Sequence, residues 1–341
     1  MNRARTGLCS LCVLLLVTSS TLAFAKDEPL QLSGYVDGRY FFERSKNGGA
    51  YTNSNTFQLY EAQINLARRL SANFEVHANL NYRAEGPDPS SALGLLDHAV
   101  DQAYLKAMVQ LGKFELYAQF GKFNAPIGTE SVEAPDKNEI SFSLVNSKAT
   151  PTNVTGLLVG VSHDYFELAL FVVNGWDQLS DPNADKTFGL SATVKYQWLA
   201  VGVGVISGKG AGAFSETYDA NRSTVLDVNL SLTPLQKKML IVLEGNVGFG
   251  SGGVAEGKRW WGVLALWYYE PIKYLGVTLR YSLFRDRDGL QGLGARQAEE
   301  ATIALQSKPL DSVRFKLEYR SDLTSGSVRK HTAAFQGVFL F

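Results

Sequence analysis

The residues best placed to do chemistry in this chain are charges that recur at a spacing of two. Asp37 and Arg39 stand in "GYVDGRYFF", Glu75 and Arg83 bracket "EVHANLNYR", and Arg314, Lys316, Glu318 and Arg320 alternate along "RFKLEYR". Lys106, Glu115, Lys195, Asp227 and Arg280 fall on the matching parity of their own segments. Residues two apart share one face of a strand. Acids and bases gathered on one wall set a local electric field, which is the chemistry of ion preference rather than of bond making.

Residues for bond-making chemistry are sparse. The four histidines, His77, His98, His163 and His331, lie far apart, whereas a metal cage needs ligands that converge from fixed spacings. Asp97-His98 forms half of an acid–base site or, as the plainer reading, a solvated pair in a loop. In "GVGVISGKGAG" the phosphate-loop spacing fails: Gly202 has five residues rather than four before Gly208-Lys209, and Gly210 stands where Ser or Thr is required. The expectation is therefore no catalytic residue, no metal and no cofactor.

The first 25 residues, "MNRARTGLCSLCVLLLVTSSTLAFA", have the basic start, short apolar run and small-x-small end of a secretory signal peptide cleaved after Ala25. Both cysteines, Cys9 and Cys12, fall inside it, so the exported chain carries no thiol and no disulfide. Loss of Arg3 and Arg5 from 33 basic and 33 acidic residues leaves a near-neutral protein, which excludes a nucleic-acid partner. Residues 26–341 show no linker and no long apolar run, which excludes spanning helices but not a spanning barrel.

The elements that must position the charges are strands. "NFEVHANLNYRAE" alternates strictly, with Phe74, Val76, Ala78, Leu80 and Tyr82 opposite Glu75, His77, Asn79, Asn81 and Arg83. Strands of this kind are expected at 31–42, 56–69, 73–84, 101–110, 114–122, 155–163, 165–175, 187–196, 198–207, 223–232, 239–249, 259–269, 273–284, 298–307, 312–321 and 330–341. Short turns such as "LGK" and "HD" follow the even-numbered strands, and longer polar loops follow the odd-numbered ones. All ten prolines fall between these runs, as the ladder requires. Tyr40, Tyr82, Trp198, Trp260, Trp267, Tyr274 and Tyr281 crowd the strand ends like interfacial girdles, while facing stays open in "RWWGVLALWYY" and in 198–207. A secreted sandwich would not need this alternation of connections. The fold expected is an all-β, up-and-down antiparallel transmembrane barrel of about sixteen strands, with short periplasmic turns and long extracellular loops.

The segments "GKFNAPIGTESVEAPDKNEISFSLVNSKATPTNVTG", residues 121–156, and "FVVNGWDQLSDPNADKTFG", residues 171–189, resemble the OmpL-like β-barrel porins of Gram-negative bacteria. The phosphate-selective porins are the near neighbour. Ser141-Phe142-Ser143 departs from the family's usual Ser-Arg-Ser. The resemblance implies an outer-membrane channel in contact with lipid that passes small hydrophilic solutes and ions by diffusion, as a monomer or a homotrimer. It also implies that the last strand, "AAFQGVFLF" with Phe335, Phe339 and Phe341 on one face, ends in a signal at Phe341 for the barrel-assembly machinery. A substrate-selective anion or phosphate channel, a barrel-embedded enzyme and a plugged structural or adhesive barrel are the alternatives.

Residues 123–154 form the longest connection, stiffened by Pro126, Pro135 and Pro151 and too apolar to wave in water. The expectation is that it folds into the barrel mouth as a constriction. Glu130, Glu133, Asp136 and Glu139 would then face the arginines of the thirteenth and fifteenth strands, with only Lys137 and Lys148 to offset them. An external loop capping a neighbouring subunit is the other reading.

Overall fold

Period-two alternation gives every strand one apolar and one polar face, and a sheet closed on itself satisfies both while leaving no backbone edge. The computed structural model describes residues 28–47, 49–84, 99–181, 185–209, 222–291, 293, 296–325 and 328–341. The segment 1–25 and the Asp97-His98 pair lie outside these residues. Sixteen strands form one closed barrel: β1 (Gln31–Asn47), β2 (Ala50–Ser71), β3 (Phe74–Arg83), β4 (Val100–Leu111), β5 (Phe114–Asn124), β6 (Asn153–His163), β7 (Phe166–Val173), β8 (Thr187–Tyr196), β9 (Leu199–Lys209), β10 (Arg222–Leu232), β11 (Met239–Ser251), β12 (Arg259–Ile272), β13 (Leu275–Asp286), β14 (Gln297–Leu310), β15 (Val313–Thr324) and β16 (Val328–Leu340).

Each strand pairs antiparallel with its chain neighbours, and β1 closes on β16 from Tyr35 opposite Leu340 to Lys46 opposite Arg329. Past that ladder, Phe341 and Gly34 exchange two backbone hydrogen bonds of 3.0 Å. The Phe341 ring lies over the bare Gly34 backbone. Leu157, Val159, Leu170, Ile303 and Leu305 are exposed on the outer face, while Asp37, Glu300, Lys316 and Gln336 are shielded within.

Three features differ from the expectation. The polar stretch 43–55 is strand rather than loop: β1 and β2 pair up to Asn47 opposite Ala50 and turn at Gly49, whose φ is +99°. Both faces there are polar, so no alternation marks the ladder, and the pairing simply continues beyond the alternating stretch. Pro271 and Pro309 lie inside β12 and β14, each at a register shift beside the short turn, where no ladder donor is needed. Trp260, expected in an interfacial girdle, is fully buried on the inner face against Phe284, and Trp261 points outward instead. Within 198–207, Gly202, Gly204 and Ile206 are shielded while Val201 and Val203 are exposed on the outside.

Ile303, mid-strand in β14 and 45% exposed on the outer face, is the test of that facing. Ile303→Arg puts a cation in hydrocarbon and should cost about 2–4 kcal/mol, read as a lower urea midpoint of the heat-shifted folded band. Ile303→Leu should leave the midpoint in place.

Candidate functional site

The connection between β5 and β6 runs through the inside of the barrel. Its neck is tied where Ala125 N–H donates to the Thr152 carbonyl at 3.0 Å. A 3-10 turn at Ala134–Asp136, started by Pro135, and a short helix α1 (Leu144–Ala149), capped by Ser143, give it internal shape. Glu130 fastens the two halves by accepting from the Ser143 backbone N–H and hydroxyl.

The loop is anchored to the opposite wall by polar contacts from β11, β13 and β15. On β13, the Arg280 guanidinium donates to Glu130 at 3.0 Å, to the Ser141 carbonyl at 2.7 Å and to Glu300 of β14 at 3.1 Å, with Glu139 at 3.7 Å. On β15, Glu318 accepts the N–H groups of Ile140 at 2.6 Å and Ser141 at 3.2 Å. Lys316 donates to the carbonyls of Ala134 at 2.8 Å and Glu139 at 3.3 Å, and Arg320 to that of Phe142 at 2.5 Å. Thr129 bonds Glu244 of β11. Every polar atom the fork of Arg280 reaches belongs to the loop or to the next strand, so the group acts as a rivet.

An apolar contact runs beside the polar one. Ile127, Val145 and Ala149 pack with Phe171, Ile206, Val225, Trp260, Leu264 and Phe284 in one buried cluster. Gly204 and Gly262 make the room: a Cβ on them would sit 3.1 Å from Ile127 and 3.0 Å from Val145. Gly204 of "GVGVISG" is thus a seat for the loop. Phe142, where the resembling family has arginine, offers its ring face to Lys137 Nζ at 3.4 Å. Burial pushes the Lys137 ammonium down to about 8, against the pull of Glu139.

A family model described as "Putative beta-barrel porin-2, OmpL-like" matches residues 29–337. The chain belongs to this porin family. No curated protein sequence matches it. Among solved structures, this OmpL-like porin is similar to the outer-membrane channel DcaP of Acinetobacter baumannii at 12% identity and a TM-score of 0.63, over 92% of this chain and 97% of that one. It is similar to the anion-selective porin from Comamonas acidovorans at 8% identity and a TM-score of 0.64, over 93% and 100%. Salmonella typhi OmpF, solved with daunomycin, gives 12% identity and a TM-score of 0.64 over the same shares. At these identities the shared property is the fold of an outer-membrane barrel.

The expected wall residues of the OmpL-like porin divide into two groups. Arg280 and Lys316 are on the inner face but beneath the loop, so they hold it rather than border open water. Arg314 turns to the short-turn end, donating to the Asp311 carbonyl at 2.7 Å. The rest pair with neighbours on the wall: Asp37 with Arg39 at 2.7 Å, both buried, Glu61 with Arg83 at 2.6 Å, Lys106 with Glu115 at 3.2 Å, and Arg320, which also bonds the loop, with Asp322 at 2.7 Å. Glu75 binds His77 at 2.8 Å. A bulge opposite Asp37 and Gly38 turns both Tyr60 and Glu61 inward, and Arg39 lies 3.3 Å over the Tyr60 ring.

The four loop acids are split as well. Glu130 and Glu139 reach Arg280, whereas Glu133 stays at the neck and accepts from Asn124 at 3.0 Å and Gln102 at 3.3 Å. Asp136 is exposed, and partial desolvation together with Glu133 holds its carboxyl above the usual range. His163 stands by Phe114 and Phe166, and His331 bonds the Tyr319 hydroxyl at 2.8 Å, so the described histidines do not converge.

Arg280→Ala would leave Glu130 and Glu300 buried without their cation, a loss of about 3–5 kcal/mol of docking. Limited trypsin digestion of the folded barrel should then cut at Lys137 and Lys148, which wild type protects. Protection equal to wild type would show that Arg280 is not the rivet.

Proposed function

We propose that the protein is an outer-membrane porin whose water-filled lumen passes small hydrophilic solutes and ions by diffusion, with the loop at 125–152 as its constriction. The observation that carries this is the docking of that loop across the lumen, onto β11 and β13–β15, through Glu130, Arg280 and Glu318. A rigid loop inside a closed barrel narrows the passage without needing to move. The family match and the similarity to outer-membrane channels support a channel over an enzyme or an adhesive barrel.

The remaining charges of the wall are matched in pairs, so no ring of one sign spans the lumen and ion selectivity should be weak. Glu130 and Glu139 are buried against Arg280, which leaves Glu133 and Asp136 as the loop's contribution to a modest cation preference. OmpT of Vibrio cholerae, a further structural relative, is described in a trimer form. A homotrimer of this chain, working in outer-membrane lipid, belongs to the same reading.

Phe341 keeps its proposed role as the signal read by the barrel-assembly machinery, supported by the exposure of Phe335, Phe339 and Phe341 along one outward face. Deleting Phe341 should slow insertion in a pulse-chase experiment by several-fold, and unchanged rates would end that reading.

In planar bilayers, deletion of residues 130–146 should raise single-channel conductance and weaken the cation preference measured as a reversal potential. Conductance equal to wild type would show that the loop is not the constriction.

A further inference from the structure

The outer face carries a feature the channel does not use. At the extracellular end of β12 and β13, Arg259, Arg285 and Arg287 are exposed around a groove of about 880 Å3 that also holds Phe249, Trp261 and Val263. None of the three guanidinium groups makes a salt bridge among the described residues. The nearby acids are otherwise engaged. Asp288 accepts the Arg259 backbone N–H at 2.9 Å, and Glu299 is held by the Tyr281 hydroxyl at 3.2 Å and by Gln297 at 2.8 Å.

From the arginines the groove continues toward the middle of the wall. It shares Gly245 and Val263 with a second hollow of about 530 Å3, lined by Val201, Leu243 and Ala265. No atom lies within 4 Å of where a Cβ on Gly245 would stand, so the glycine forms the floor of an open apolar track. A charge on the lipid face is costly at mid-depth and nearly free at the interface, which fits three cations at the head-group level and none below. One end of the feature is cationic and the other takes hydrocarbon.

We propose that this groove is a binding site for a phosphorylated lipid of the outer leaflet, its phosphates on Arg259, Arg285 and Arg287 and an acyl chain along Gly245 and Val263. Guanidinium groups bind phosphate oxygens in a fork, and loose cations at a membrane surface attract anionic head groups in any case. The apolar track is what turns that attraction into a site, because it fixes where the chain lies.

The probe is lipid A added to the purified, detergent-folded barrel, with bound lipid counted by native mass spectrometry. The triple variant R259Q/R285Q/R287Q should weaken lipid A binding roughly hundredfold, and dephosphorylated lipid A should bind wild type as weakly. Gly245→Leu, which fills the track, should weaken lipid A while keeping the heat-shifted folded band. Wild-type affinity in the triple variant, or equal affinity for dephosphorylated lipid A, overturns the proposal. So does a change of oligomeric state with lipid binding intact, since the groove would then seat a second copy of the chain. Conductance of the triple variant should equal wild type, which separates this site from the channel reading.

Discussion

Hydrocarbon offers no hydrogen bonds, so every amide of a spanning segment must find its partner in the protein. The architecture follows from that single constraint. Sixteen strands pair in chain order and the first closes on the last, with Phe341 and Gly34 continuing the ladder by two further bonds. The two prolines found within strands, Pro271 and Pro309, sit at register shifts beside turns, where the missing donor leaves nothing unpaired. Once the backbone is satisfied by closure, the side chains are free to serve two different solvents, and period two sorts them.

The inner face is where that freedom is used. A polar loop segment inside a barrel must have its own amides and carbonyls satisfied, and here the wall supplies them: Glu318 takes two N–H groups, while Lys316, Arg280 and Arg320 cover carbonyls. Charged partners make such bonds stronger than neutral ones. Burial raises the stakes, because any member removed leaves its neighbour stranded. The apolar half of the same contact, from Ile127 and Val145 onto Trp260 and Phe284, contributes area without direction. Polar contacts set the position of the loop, and apolar ones hold it there.

The lumen charges that remain are arranged as neighbours of opposite sign on adjacent or alternate positions. Arg39 lies between Asp37 and the Tyr60 ring, and Arg83 between Glu61 and Asp101. Local pairing keeps a wall near neutral, in contrast to a one-signed ladder. On the outside the opposite rule holds: apolar residues fill the belt, and unpaired arginines are tolerated only at its rim, within reach of head groups.

The amino-acid sequence by itself determined the barrel. Alternation marked sixteen strands, and parity put Asp37, Glu75, Lys106 and Arg280 on one face, because the side-chain period of a strand is a property of the backbone and needs no partner to be read. It also marked 123–154 as too long and too apolar to be a plain connection. Parity says which face a residue is on but not what covers that face. Only the tertiary structure separates Arg280 and Lys316, which bond the loop, from Arg39 and Arg83, which pair with Asp37 and Glu61 of the wall. The same holds within "GVGVISG" and "RWWGVLALWYY": Gly204 and Gly262 are bare where Ile127 and Val145 rest on them. No local pattern records a contact made between residues so far apart in the chain. The outer groove at Gly245 depends in the same way on register, which sets Arg259 at the start of β12 against Arg285 and Arg287 at the end of β13 in the groove that reaches this bare backbone.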